Sequence, residues 1–147
     1  MKITATSTIP APRERVFAAL IDPEILRRFI PGCESLTATG PDAYEATLKV
    51  GVAGLKGTYG GKAAIRDKRP PDSLTLSFEG KGGPGFVRGS AAIALADDAA
   101  GGTRITTEAD VQVGGLIAAV GSRLVEAASR KLADDFFRAL AQQLTTT

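Results

Sequence analysis

The chain has 147 residues, with 18 Lys and Arg against 16 Asp and Glu for a net charge of +2, one Cys and no His. So even a balance, with no concentrated basic run, is unsuited to holding nucleic acid by phosphate contacts. One Cys excludes an internal disulfide and any Cys-cluster metal site, and the lack of His removes imidazole acid–base catalysis, Ser-His and Cys-His nucleophile pairs and the commonest transition-metal ligand.

The length fits one domain spanning residues 1–147, and a folded chain of this size buries roughly 70% of its extended surface. The first twenty residues do not read as a secretion signal. Lys2 is followed by alternating residues, and Pro10, Pro12, Arg13, Glu14 and Arg15 interrupt any apolar run. No stretch approaches the ~18 consecutive apolar residues of a membrane span. A soluble, cytoplasmic protein is therefore expected, one that could touch a membrane only peripherally.

KITATST, residues 2–8, alternates and predicts a short strand. In PAPRERVFAALIDPE, residues 10–24, Pro12 suits the first turn of a helix, and Val16, Phe17 and Leu20 make its apolar face. Asp22-Pro23 ends that helix and starts another, because Asp caps well and Pro tolerates the first position. The second helix is predicted over residues 23–30, ending at Pro31-Gly32.

From Cys33 to Val113 the pattern is mostly of period two. Tyr44, Ala46, Leu48 and Val50 share one face of a strand, and Tyr59, Gly61, Ala63 and Ile65 share one face of the next. Leu74, Leu76 and Phe78 align, as do Val87, Gly89, Ala91, Ile93 and Leu95, and then Ile105, Thr107, Ala109, Val111 and Val113. With CESLTAT at 33–39 this makes about six strands after the first, an antiparallel meander with one wet face. A long helix is predicted over residues 115–144. Ala128, Leu132, Phe136 and Leu140 step by four, with Val120 and Leu124 leading in. So broad an apolar stripe needs a large apolar partner, and the inner face of the meander is the only one available.

The predicted fold class is α+β: a curved antiparallel sheet around a long C-terminal helix, with two short helices after the first strand. Its inner face is lined by small residues, Ala46, Gly61, Ala63, Gly89, Ala91 and Ala109. Native interiors are close-packed, so such a face implies either a flatter sheet or a ligand-sized cavity. Of the two, the cavity is expected.

Five strings carry a resemblance: FIPGCESL (29–36), KVGVAGLKGTYGGKAAI (49–65), GKGGPGFVRGSAAIAL (80–95), GTRITTEADVQVGG (102–115) and KLADDFFRAL (131–140). Together they resemble the family of the carbon monoxide dehydrogenase G subunit, within the START and birch-pollen-allergen (SRPBCC) superfamily of helix-grip folds. The resemblance implies a fold shared with lipid- and polyketide-binding proteins. It also implies company with a molybdenum hydroxylase of the carbon monoxide dehydrogenase type, by recruiting it to the membrane or carrying quinone to it. Better-known members end in an apolar anchor, whereas this sequence ends at QQLTTT, so ligand carriage is expected rather than direct anchoring.

Cys33 as a nucleophile would need Arg27, Arg28 or a helix end to lower its pKa. The favoured reading is a small buried residue starting a strand after a Pro-Gly corner. That corner places Phe29 and Ile30 at the cavity mouth, as the family motif implies. GKGGPG (80–85) lacks the context of a phosphate loop and is expected as a loose hairpin that can act as a lid, with Phe86 on the opposite lip. Glu108, Asp110 and Asp134-Asp135 read as solvated carboxylates. The ligand contacts expected are Phe29, Ile30, Leu48, Val50, Tyr59, Ile65, Leu76, Phe78, Phe86, Ile93, Val111, Leu116, Val120, Leu124 and Leu132, with no catalytic residue, metal or cofactor. Binding of an apolar small molecule such as a quinone or lipid, without catalysis, is favoured over an enzyme of the cyclase, dehydrase or hydrolase kind. The inner faces offer almost no acid or base for the latter.

Overall fold

The computed structural model describes residues 1–51 and 55–145. Val52, Ala53 and Gly54, inside the string at 49–65, lie outside the described residues, as do the last two positions. In chain order the elements are β1 (Lys2–Ile9), α1 (Arg13–Leu20), α2 (Pro23–Phe29), β2 (Cys33–Gly40), β3 (Ala43–Val50), β4 (Gly57–Arg69), β5 (Ser73–Gly82), β6 (Gly85–Asp97), β7 (Thr103–Gly114), α3 (Leu116–Ala119) and α4 (Ser122–Thr145). The strands form one seven-stranded sheet in the order β1-β7-β6-β5-β4-β3-β2. All neighbours are antiparallel. β2 to β7 are the expected meander, and β1 adds to its β7 edge. This is the helix-grip arrangement.

Local chemistry accounts for the short helices. Asp22 caps α2, its carboxylate accepting from the Glu24 amide at 2.9 Å, and Pro23 occupies the first position. Arg13, at the start of α1, donates to Asp97 at 2.9 Å and also to Asp72. One guanidinium thus ties α1 to the ends of two sheet hairpins.

The C-terminal helix differs from the single one expected over 115–144. It is broken between α3 and α4 at Gly121, whose φ of 96° lies in the left-handed region that L residues rarely adopt. Beyond the break α4 buries Val125, Ala128, Phe137, Leu140 and Leu144. Its other side carries exposed Arg123, Asp134 and Arg138 and the i,i+4 ion pairs Glu126–Arg130 (2.8 Å) and Lys131–Asp135 (3.0 Å).

The glycine-rich stretch at 80–85 is also not the loose hairpin expected. β5 and β6 pair as far as Gly82 opposite Gly85, leaving Gly83-Pro84 as the turn. The Pro84 carbonyl accepts from the Ile117 amide at 2.9 Å, pinning the tip to α3. Glycine serves close approach here. A Cβ on Gly82 would lie 2.4 Å from the Thr58 carbonyl oxygen.

Register sets up a row of charge across the outer face. Glu45 stands opposite Lys62, Lys62 opposite Glu79, and Glu79 opposite Arg88. Alternating charges directly across a sheet each favour this register by a few tenths of a kcal/mol, ~0.2–1 at most.

Candidate functional site

The inner face of the sheet looks onto α4, and its apolar residues gather into two separate clusters. The first joins Ile9, Val16, Phe17, Leu20, Tyr44, Ile65, Leu74, Leu95 and Ile105 to Phe137, Leu140 and Leu144 of α4. The second joins Leu55, Tyr59 and Ile117 to Val125 and Ala128. Between them runs a belt that belongs to neither: Ala46 and Leu48 on β3, Gly61 and Ala63 on β4, Phe78 on β5, Gly89 and Ala91 on β6, and Ala109 and Val111 on β7.

The belt is loosely covered. Leu48, Ala63, Phe78, Ala109 and Leu132 are all only half-buried although they lie on the inward side. The backbone of α4 runs alongside β1, at the edge of the sheet. Small residues thus line the middle of the palm, while the backbone of α4 runs beside the β1 edge.

The residues singled out from sequence divide by place. Tyr59, Ile65 and Val111 are buried. Leu48, Val50, Leu76, Phe78, Ile93, Val120 and Leu132 are half-buried; Val50 and Val120 pack on the second cluster, and Leu76 and Ile93 on the first. Phe29 and Ile30 are half-buried at the end of α2, where Gly32 meets Lys49 at the end of β3. That is the same end of the sheet as the Gly83-Pro84 turn.

Three placements correct the expectation. Phe86 does not face the palm. It lies on the outer face, its ring over Gly114 and beneath the Arg88 guanidinium, 5.6 Å from the ring centre. The cause is alternation: Val87 points inward, so Phe86 points out. Leu116 is 70% exposed on α3, because its neighbour Ile117 takes the buried position. Leu124 is 38% exposed, because the break at Gly121 turns Val125 rather than Leu124 toward the sheet.

Tyr59, one of the expected ligand contacts, donates its hydroxyl to the Leu55 carbonyl at 2.7 Å. Burial pushes the phenol's pKa up, which keeps it a neutral donor.

With this geometry in view, comparison with known proteins is decisive. Residues 6–145 match the family of the carbon monoxide dehydrogenase G subunit (CoxG). The chain belongs to the CoxG family. No curated protein matches it. It resembles a conserved protein from Geobacillus kaustophilus of known crystal structure, at 33% identity and a TM-score of 0.94, covering 98% of this chain and 95% of the other. A START superfamily protein from Mycobacterium smegmatis shares the fold at 13% identity and a TM-score of 0.73, over 97% of this chain and 96% of the other.

In this CoxG-family chain Cys33 opens β2 and is half-buried. Its thiol donates to the Ser35 carbonyl at 3.3 Å. Burial pushes its pKa up, against the smaller opposing effects of Arg27 and that hydrogen bond. A thiol kept protonated is a poor nucleophile. Cys33→Ser is expected to retain ligand binding and to cost under ~1 kcal/mol, since a serine hydroxyl inherits the Ser35 acceptor. Thermal denaturation and ligand titration check this, and lost binding in the folded variant would contradict it.

The outer face holds two open hollows that alternation alone did not reveal. One, of about 650 Å³, is lined by Lys62, Arg66, Ser77, Glu79, Arg88, Ser90, Asp110 and Gln112. The other, of about 900 Å³, adds Ser35, Thr37, Glu45, Thr47, Lys81 and Phe86. Both share the charged row Lys62, Glu79 and Arg88. Their walls mix charged side chains of both signs with apolar surface, including atoms of Ala63 and Phe78 in the first and of Ala46 and Val87 in the second.

Proposed function

We propose that this protein is a single-domain, cytoplasmic carrier that binds an apolar small molecule, a quinone or a lipid, in the belt between sheet and α4. On this reading it serves a molybdenum hydroxylase of the carbon monoxide dehydrogenase type and catalyses nothing itself. The observation that supports the reading is the division of the core into two apolar clusters, neither of which includes the small inward residues Ala46, Gly61, Ala63, Gly89 and Ala109. Family membership supports the partner. Among the described residues, the inward positions of the belt itself contribute no carboxylate or cation, so general acid–base chemistry has no charged group to use there.

The end of the molecule that holds α3 supports exchange of the ligand with a lipid surface. Leu116, Phe86 and Leu124 are the exposed large apolar residues there. Lys81 stands directly opposite Phe86, Arg123 precedes Leu124 in the chain, and both are exposed. Apolar side chains ringed by cations suit an anionic bilayer surface.

Native mass spectrometry of the purified protein, followed by solvent extraction, tests the proposal. The expected result is one apolar molecule per chain, with affinity for added quinone or fatty acid that changes little with salt, since apolar burial drives it. A protein that neither arrives with such a molecule nor takes one up would refute the reading.

A further inference from the structure

Thr107 sits on the inner face of β7, opposite Ala5 of β1 and Ile93 of β6. On one side along the strand lies Ile105, wholly buried in the first cluster; on the other lies Ala109 of the belt. Its Oγ1 is buried and, among the described residues, has no hydrogen-bond partner. The contrast with its neighbours is sharp. Thr103 on the same strand donates to the Ala11 carbonyl at 2.6 Å, and Tyr59 to that of Leu55 at 2.7 Å. These other two buried hydroxyls are paired.

An unpaired buried hydroxyl costs stability, and a valine of nearly the same shape would avoid the cost. The Thr107 side chain as a whole is only half-buried, so open space borders it. A step between staggered χ1 rotamers exchanges methyl and hydroxyl and turns the donor into that space. We infer that Thr107 is the hydrogen-bond donor of the ligand site, and that the ligand is an apolar molecule bearing an oxygen acceptor of the carbonyl class. The acceptor seats where the belt meets the first cluster, and the apolar body lies along the small residues of the belt. The inference rests on the carrier reading and narrows it, because a plain hydrocarbon would leave Thr107 unpaired.

The test compares two probes on the intact protein: a decyl-substituted benzoquinone and decylbenzene. Wild type should prefer the quinone. Thr107→Val should weaken the quinone by roughly five- to tenfold, the worth of one neutral hydrogen bond, and leave decylbenzene unchanged. Its melting temperature should hold or rise, and Thr107→Ser should keep the preference. Quinone binding undiminished in Thr107→Val overturns the role. So does an equal loss for both probes, which would mark a packing effect. Wild type that binds decylbenzene but shows no quinone preference overturns Thr107 alone. Wild type that binds neither probe overturns the carrier reading and this role with it.

Discussion

Ala63→Phe should abolish ligand uptake while leaving the fold almost as stable as before. Ala63 lies in the belt of β4, opposite Tyr44 on β3 and Phe78 on β5, and belongs to neither apolar cluster. Its side chain is half-buried on the inward side of β4, and the carrier reading places the ligand against it. A phenyl ring there adds volume without polarity, so affinity for quinone or fatty acid should fall by about a hundredfold or more as the site is occupied from within. A close-packed palm predicts the opposite. Overpacking would then destabilise by ~1–3 kcal/mol. Calorimetry and ligand titration on this one variant separate the two. A marked loss of stability, from a wild type that binds nothing, would end the carrier reading.

Gly32→Ala should be the most destabilising of the small substitutions at the FIPGCESL corner. Gly32 has a φ of +76°, and an added Cβ would lie 2.1 Å from the Lys49 carbonyl oxygen. The same two residues are joined in the other direction, the Lys49 amide donating to the Gly32 carbonyl at 2.8 Å. Backbone meets backbone, so no side chain can give way. Left-handed strain and the clash together should cost at least ~2–3 kcal/mol. For a domain of this size each kcal/mol lowers the melting temperature by about 2–4 °C. A variant that melts within about two degrees of wild type would show that the corner can open without penalty.

The corner also shows what sequence can and cannot reveal. Pro31-Gly32 announces a turn through residue type alone, and the alternation from Tyr44 to Val113 assigns inward and outward faces along each strand. The same alternation already holds the correct place of Phe86, since VRGSAAIAL puts Val87 inward and its neighbour outward. The glycines around Phe86 suggest a loose hairpin, whereas they stand where strands approach too closely for a Cβ. Leu116 and Leu124 escape the sequence reading for a different reason. Apolar spacing runs through Gly121 without a break, and only its backbone angle divides the helix and rotates α4 relative to α3. The separation of the core into two clusters is legible only as a run of small residues. It depends on how far α4 stands from each strand, which no local pattern encodes. The charged row on the outer face is hidden likewise, because Glu45, Lys62, Glu79 and Arg88 meet only through the strand register.

The place of β1 has a consequence for how the chain comes to be folded. Each strand from β2 to β7 pairs with the strand before or after it, so five hairpins can zip in turn as the chain lengthens. β1 cannot join them. Its partner is β7, with Lys2 opposite Asp110 and Ile9 opposite Thr103. On the ribosome β1 must therefore wait, unpaired, until β7, the last strand of the sheet, has been made. Closing so long a loop is slow and carries a large entropic cost. Ile9, wholly buried in the finished core, stays exposed for that interval. The amino-terminal strand is thus the segment a chaperone would be expected to shield, and the one whose docking sets the pace of folding.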